Sequence, residues 1–177
     1  MAEPRRRLWL PTVAGGAAAV ALAAQITFPL PGSPVPSTLQ GPAVLLAGGL
    51  MGALAGAGSL ILYLILGAFG MPVFAGGSAG LDRLLGPTGG YLLSFPLGAA
   101  LAGRLGERHN WKRCIAAALS GMAVIQLCGL AWFEVKSSDA AMGLWQALHP
   151  LLIQDLLKVA LVTLVLWLFQ GTLRPAT

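Results

Sequence analysis

Gln154, Asp155 and Lys158 stand together inside an apolar run spanning 150–170. If that run is helical, Asp155 and Lys158 are three apart and share a face, and Gln154 and Lys158 are four apart and adjacent. Ionisable side chains within a membrane-length apolar run are costly, and they normally face the bundle interior or a wet cavity. Counted from Pro150, Asp155 lies roughly 7–8 Å down the helix and Lys158 about 12 Å. That depth suits the floor of an outward-facing pocket. A carboxylate accepts hydrogen bonds from N–H donors, and an ammonium donates to carbonyls or carboxylates. Two readings stay open: the pair serves a polar ligand, or it neutralises itself between helices.

Two further polar features lie earlier in the chain. In Pro34-Val35-Pro36-Ser37-Thr38-Leu39-Gln40, two prolines stiffen an extended segment. Ser37, Thr38 and Gln40 bring hydroxyl and amide groups to the outer rim, although the same residues also make a plain helix-entry loop. Residues 70–91 read GMPVFAGGSAGLDRLLGPTGGY. Lipid cannot satisfy irregular backbone, so this stretch must be shielded by protein or line a water-filled cavity. Interrupted hydrophobic segments of this kind point to a substrate site in a transporter. Gly76 and Gly77 can expose backbone groups to a small ligand, and Pro87 stands at an expected helix start. Phe74 and Tyr91 can cover a flat ligand or pack on neighbouring helices. Asp82 and Arg83 are rim charges, and Arg83 can pair with a ligand carboxylate. No phosphate loop is present, because the Gly-Lys-Ser/Thr ending and the preceding strand are missing.

The elements that must position these residues follow from composition. Of the 177 residues, 56% are hydrophobic and only 10% charged, against about 25% charged in a soluble domain. The 24 glycines fit membrane helices, where glycine allows close approach. The net charge of +5 does not imply nucleic acid, because the basic residues cluster beside apolar segments, where they set topology. Cys114 and Cys128 are too few for a disulfide framework and read as small packing residues. His109 and His149 lack partners at metal-ligand spacing and read as interfacial.

Apolar runs cover 8–30, 41–69, 87–105, 111–135 and 150–170. As one helix, 41–69 would extend roughly 43 Å, against a hydrocarbon core of about 30 Å. Gly56 and Gly58 offer a turn in its middle. Charge parity decides between one helix and two. With two short helices, 41–56 and 58–70, the chain crosses six times. Arg5, Arg6 and Arg7, then Arg104, Arg108, Lys112 and Arg113, then Arg174 all fall on one side, as the positive-inside rule requires. The expectation is a single all-α membrane domain over 1–177, with both termini cytoplasmic. A cleaved signal peptide ending near Ala21-Leu22-Ala23 is the competing account of the N-terminus. In the first span, Ala14, Ala17, Ala18 and Ala21 form small-xxx-small pairs. These suit close packing, either on a partner or within the bundle.

Four ordered motifs resemble one family. Met71-Pro72-Val73-Phe74-Ala75-Gly76-Gly77 and Leu85-Gly86-Pro87-Thr88-Gly89-Gly90-Tyr91-Leu92 resemble the BioY family, the biotin-binding S components of energy-coupling-factor (ECF) transporters. Val35-Pro36-Ser37-Thr38-Leu39-Gln40 is similar to its VPxTLQ segment, and Gln154-Asp155-Leu156-Leu157-Lys158 to its G-D-L-L-K segment, with Gln154 replacing glycine. The resemblance implies a six-transmembrane-helix bundle of the ECF S-component type, with a biotin pocket near the outer face and a place in the bacterial inner membrane. It implies that Asp155 and Lys158 engage biotin, that Thr38 and Gln40 help close the pocket, and that Gly76, Gly77 and Tyr91 wall it. Biotin's ureido ring offers two N–H donors and one carbonyl, which suit Asp155 and Lys158. Biotin is transported cargo, and no cofactor is expected. The partners implied are a transmembrane coupling protein, docked on the alanine face of the first span, and two ATPase subunits, since this chain has no nucleotide-binding motif. An S component for another vitamin is the alternative.

Overall fold

The computed structural model describes residues 3–28, 37–106, 110–136 and 144–173. Pro34, Val35, Pro36, Arg108, His109 and Arg174 lie outside the described residues, as do the side chains of Arg5, Arg6, Arg7 and His149. Among the described residues the chain is almost entirely helical. The helices are α1 (Glu3–Ala24), α2 (Gln40–Met51), α3 (Ala53–Ala68), α4 (Leu81–Leu85), α5 (Gly89–Leu105), α6 (Trp111–Lys136) and α7 (Leu144–Leu173). Strands β1 (Thr27–Phe28) and β2 (Ser37–Thr38) pair antiparallel, with Thr27 opposite Thr38 and Phe28 opposite Ser37. The first helix ends at Ala24, earlier than the apolar run 8–30 implies. Ile26 and Thr27 are β-branched, and Phe28 precedes a proline, which disfavours helix.

The chain reverses at Gly52, not at Gly56 or Gly58 as the sequence reading expects. Gly52 adopts φ +86° and ψ 167°, a conformation that residues with a Cβ avoid. Gly56 lies inside α3 and serves packing instead. A Cβ there would stand 2.6 Å from Gly48 Cα. Residues 48 and 56 therefore touch across the turn, and α2 and α3 form a hairpin with almost no loop. Gly48 in turn abuts the backbone of Ala99 in α5.

Helix α5 is central, packing on α6, α2 and α3. Helix α1 lies on α3 and α2, and α7 closes the other side against α6 and α2. The core contains Val20, Val44, Leu45, Leu60, Tyr63, Phe74, Val162 and Leu166. Among the described residues, α6 is the one helix long and apolar enough to cross a membrane by length and composition. Helices α2 and α3 are shorter, at 12 and 16 residues.

The alanines of α1 do not share one face. Ala17 is buried in the core with Val13, Val20 and Ala24, and Ala21 is half-buried against it. Ala14 and Ala18 are exposed, as are Gly15 and Leu22. The small-residue pattern thus covers both an inner and an outer face.

Gly48→Leu forces a side chain into the Ala99 backbone, which cannot yield as a flexible side chain would. We expect the unfolding midpoint in detergent to fall by roughly 3–10 °C, from an overpacking cost of about 1–3 kcal/mol. Gly15→Ala meets nothing within 4 Å and leaves the midpoint unchanged, so thermal unfolding of the two variants side by side checks the packing.

Candidate functional site

Strand β2, the start of α2, the loop before α4, α4 itself, the start of α5 and the middle of α6 and α7 converge on one cavity of about 290 Å³. That is close to the lower end, about 300 Å³, of small-molecule sites. Its lining is mixed. Phe74, Leu92, Phe95, Met122 and Ile125 supply apolar surface, while Ser37, Thr38, Gln40, Thr88, Gln126, Asp155 and Lys158 supply polar groups.

Within this lining, Asp155 has only 6% of its surface exposed. The α7 helix places Lys158 one turn on, with Nζ 3.4 Å from Asp155 Oδ1. From the facing helix α6, Gln126 Nε2 donates to Asp155 Oδ2. A carboxylate out of water needs such partners, because isolated burial of its charge would cost several kcal/mol. The anion is thus held from two helices while it and Lys158 still line the cavity.

A second polar cluster lies in β2 and the first turn of α2. Gln40 Nε2 donates to Tyr63 Oη at 2.5 Å, and Thr38 Oγ1 donates to Gln40 Oε1 at 3.1 Å. Leu39 N donates to Ile26 O at 3.2 Å, extending the β1–β2 pairing. The rim segment is therefore tied to the core of α3 through a buried amide. Tyr63 also meets Phe74 edge-on, with ring centroids 5.4 Å apart. Phe74 fits only because residue 67 is glycine, since a Cβ there would overlap its ring. Tyr91 is seated in the same way against Gly129 of α6. Trp132 Nε1 donates to Gly86 O at 2.9 Å, pinning the entry to α5.

Of the residues singled out in the sequence, Thr38, Gln40, Phe74, Arg83, Tyr91, Asp155 and Lys158 all line this cavity. Phe74 and Tyr91 each pack against a glycine of a neighbouring helix and also line the cavity. Arg83 is exposed, in keeping with a rim position. Gly76 and Gly77 are exposed and do not line the cavity. With φ of +63° and +72° they turn the chain tightly, so that Phe74 N donates to Ser78 O at 3.0 Å. The lining residues are their neighbours Ala75 and Ser78. Gln126 and Tyr63 were missed by the sequence reading. Gln126 had a signal, an amide in the middle of an apolar run. Tyr63 had none, because one tyrosine in an apolar helix reads as core.

The BioY family model matches residues 5–174. The chain belongs to the BioY family. Among its relatives, the probable biotin transporter BioY of Pyrococcus horikoshii is 38% identical over 157 residues, 87% of this chain and 91% of that protein. The biotin transporter BioY of Thermotoga maritima is 34% identical, over 84% of this chain and 87% of that protein. A crystal structure of the S component for biotin from an ECF-type ABC transporter superposes with a TM-score of 0.82 at 25% identity, covering 97% of this chain and 95% of that one. The BioY architecture thus extends over nearly the whole chain, and membership makes this a membrane transport component.

The Gln40–Tyr63 bond yields a double-mutant expectation. Tyr63→Phe leaves a buried amide N–H without its acceptor and lowers stability by about 1–3 kcal/mol. Adding Gln40→Leu removes the orphaned donor and restores part of that loss. Denaturant unfolding of the two single variants and the double variant gives the coupling.

Proposed function

We propose that this chain is the substrate-binding membrane subunit for biotin uptake, capturing biotin outside and delivering it inward with an ECF energising module. The observation that carries this is the cavity holding the Asp155–Lys158 pair, in a chain whose relatives are named as biotin transporters. The ureido ring of biotin pairs its N–H groups with the Asp155 carboxylate and its carbonyl with Lys158. The bicycle and the alkyl chain lie on Phe74, Phe95 and Tyr91, and Arg83 at the rim meets the terminal carboxylate. Those relatives' names favour biotin over another vitamin. The family is one of transport subunits, and the chain is not an enzyme.

The topology we propose has six crossings, with α2 and α3 as two short spans and both termini cytoplasmic in the bacterial inner membrane. The reversal at Gly52 supports it, because a hairpin there keeps the basic groups on one side. The cavity then opens outward. A coupling membrane protein and two ATPase subunits complete the transporter, and the exposed small residues Ala14 and Ala18 are the contact for that coupling protein.

Biotin binding to the purified protein in detergent tests the ligand. Tight binding is expected, with Asp155→Asn weakening it roughly 10–100-fold. Desthiobiotin, which keeps the ureido ring, binds in the same range. No binding by a folded protein would overturn the assignment.

The partner face is tested by co-purification. Ala18→Leu is expected to lose the ATPase subunits while biotin binding stays intact. Ala17→Leu, aimed at the core, lowers the unfolding midpoint instead.

A further inference from the structure

Helix α6 carries the same pairing at both ends. Lys112 Nζ stands 5.8 Å from the centroid of the Trp111 ring, and Lys136 Nζ 5.5 Å from that of Trp132. The two tryptophans lie roughly 31 Å apart along the helix axis, which matches a hydrocarbon core of about 30 Å. Tryptophan settles at the headgroup level of a membrane, so both ends of α6 belong there. The two ends differ in charge. At the carboxyl end Glu134 accompanies Lys136, and the Trp132 N–H is spent on Gly86 O. At the amino end the first turn holds Lys112 and Arg113 and no acidic residue. The helix dipole disfavours cations in that position. Asn110 Oδ1 already caps the turn, accepting from Lys112 N at 2.9 Å. Across the short connection 106–110 stands Arg104, in the last turn of α5. Arg104, Trp111, Lys112 and Arg113 are all exposed. Among the described residues none of these three cations is in an ion pair. The sequence 104–113 as a whole holds four cations and one carboxylate, Glu107.

Like charges crowded in this way call for a counter-anion, and the surface beside them says which kind. Leu97 and Leu93 continue the stripe of Arg104 along α5, and Leu119 and Leu127 continue that of Lys112 along α6. All four leucines are exposed. A free anion would use none of that apolar surface, whereas a phospholipid would use both parts. We infer that the α5–α6 turn binds an anionic phospholipid of the surrounding membrane, with its phosphate on Arg104, Lys112 and Arg113 and its acyl chains along the leucines of the two helices. Guanidinium matches phosphate oxygens with paired N–H donors, and Trp111 brings a further N–H to the same level. A zwitterionic lipid is disfavoured, because its own ammonium group would meet the cations. The inference rests on α6 crossing the membrane and is independent of which cargo the cavity takes.

Native mass spectrometry of the purified protein in neutral detergent tests it. Dioleoyl phosphatidylglycerol and dioleoyl phosphatidylcholine share their acyl chains and differ in headgroup charge, so the ratio retained reads the headgroup contact. Phosphatidylglycerol is expected to be preferred roughly 10–30-fold at low salt, and Lys112→Gln/Arg113→Gln to bring the ratio within about threefold of unity. Lys136→Gln, at the other end of α6, leaves the ratio unchanged. No preference in the unsubstituted protein, a preference kept by the double variant, or an equal fall with Lys136→Gln would each overturn the inference. So would displacement of the lipid by millimolar inorganic phosphate, which would make the turn a site for free anions. Neither substituted residue of the double variant lines the cavity, so unchanged biotin binding reports that the variant is folded. If it does not fold, a photoactivatable phosphatidylglycerol cross-linked to the unsubstituted protein decides. Labelled peptides from 104–113 support the site, and labelling confined to other segments refutes it. Failure of the unsubstituted protein to bind biotin would remove the cargo assignment and leave the lipid result standing.

Discussion

Burying one carboxylate organises this protein. Asp155 sits in α7 with little access to solvent, and its charge is tolerable there only with partners on more than one side. Lys158 supplies the countercharge from the same helix, and Gln126 supplies a donor from α6. The α6–α7 contact is thereby fixed in rotation as well as in distance. The other elements around the cavity leave that anion in its lining.

The enclosure itself depends on small residues more than on large ones. Gly48 lets α2 approach α5, Gly67 admits the Phe74 ring, and Gly129 admits Tyr91. In a bundle surrounded by lipid, packing gains come from close contact and not from expelling water. Each glycine therefore fixes where a neighbouring aromatic or backbone segment must lie. Of the three aromatics that line the cavity, Phe74 and Tyr91 are each located by a glycine on another element.

Much of this was legible in the sequence, for identifiable reasons. The Asp155–Lys158 pair was visible because charges in an apolar run stand out, and the irregular 70–91 stretch was visible because lipid does not permit such backbone without cover. Charge parity required the run 41–69 to fold back. The location of that turn was not readable. Gly52, Gly56 and Gly58 look alike as letters, and only the backbone angle at Gly52 and the contact at Gly56 separate them. Likewise the alanine pattern of α1 announces close packing without saying on which side. Burial assigns Ala17 inward and Ala18 outward. Gly76 and Gly77 illustrate a further ambiguity, since glycines that bend a loop and glycines that line a cavity have the same signature.

The α2–α3 hairpin is fastened at both of its ends. At Gly52 the chain turns without slack, and at the far end the amide of Gln40 in α2 is bonded to the hydroxyl of Tyr63 in α3. Such a pair behaves as a stiff strut. Splaying its two arms would break a buried hydrogen bond and open the Gly48–Gly56 contact together. Parting α2 from α3 therefore carries a cost at both ends of the hairpin at once, and the loop that carries Phe74 leans on that stiff pair through the Tyr63–Phe74 ring contact.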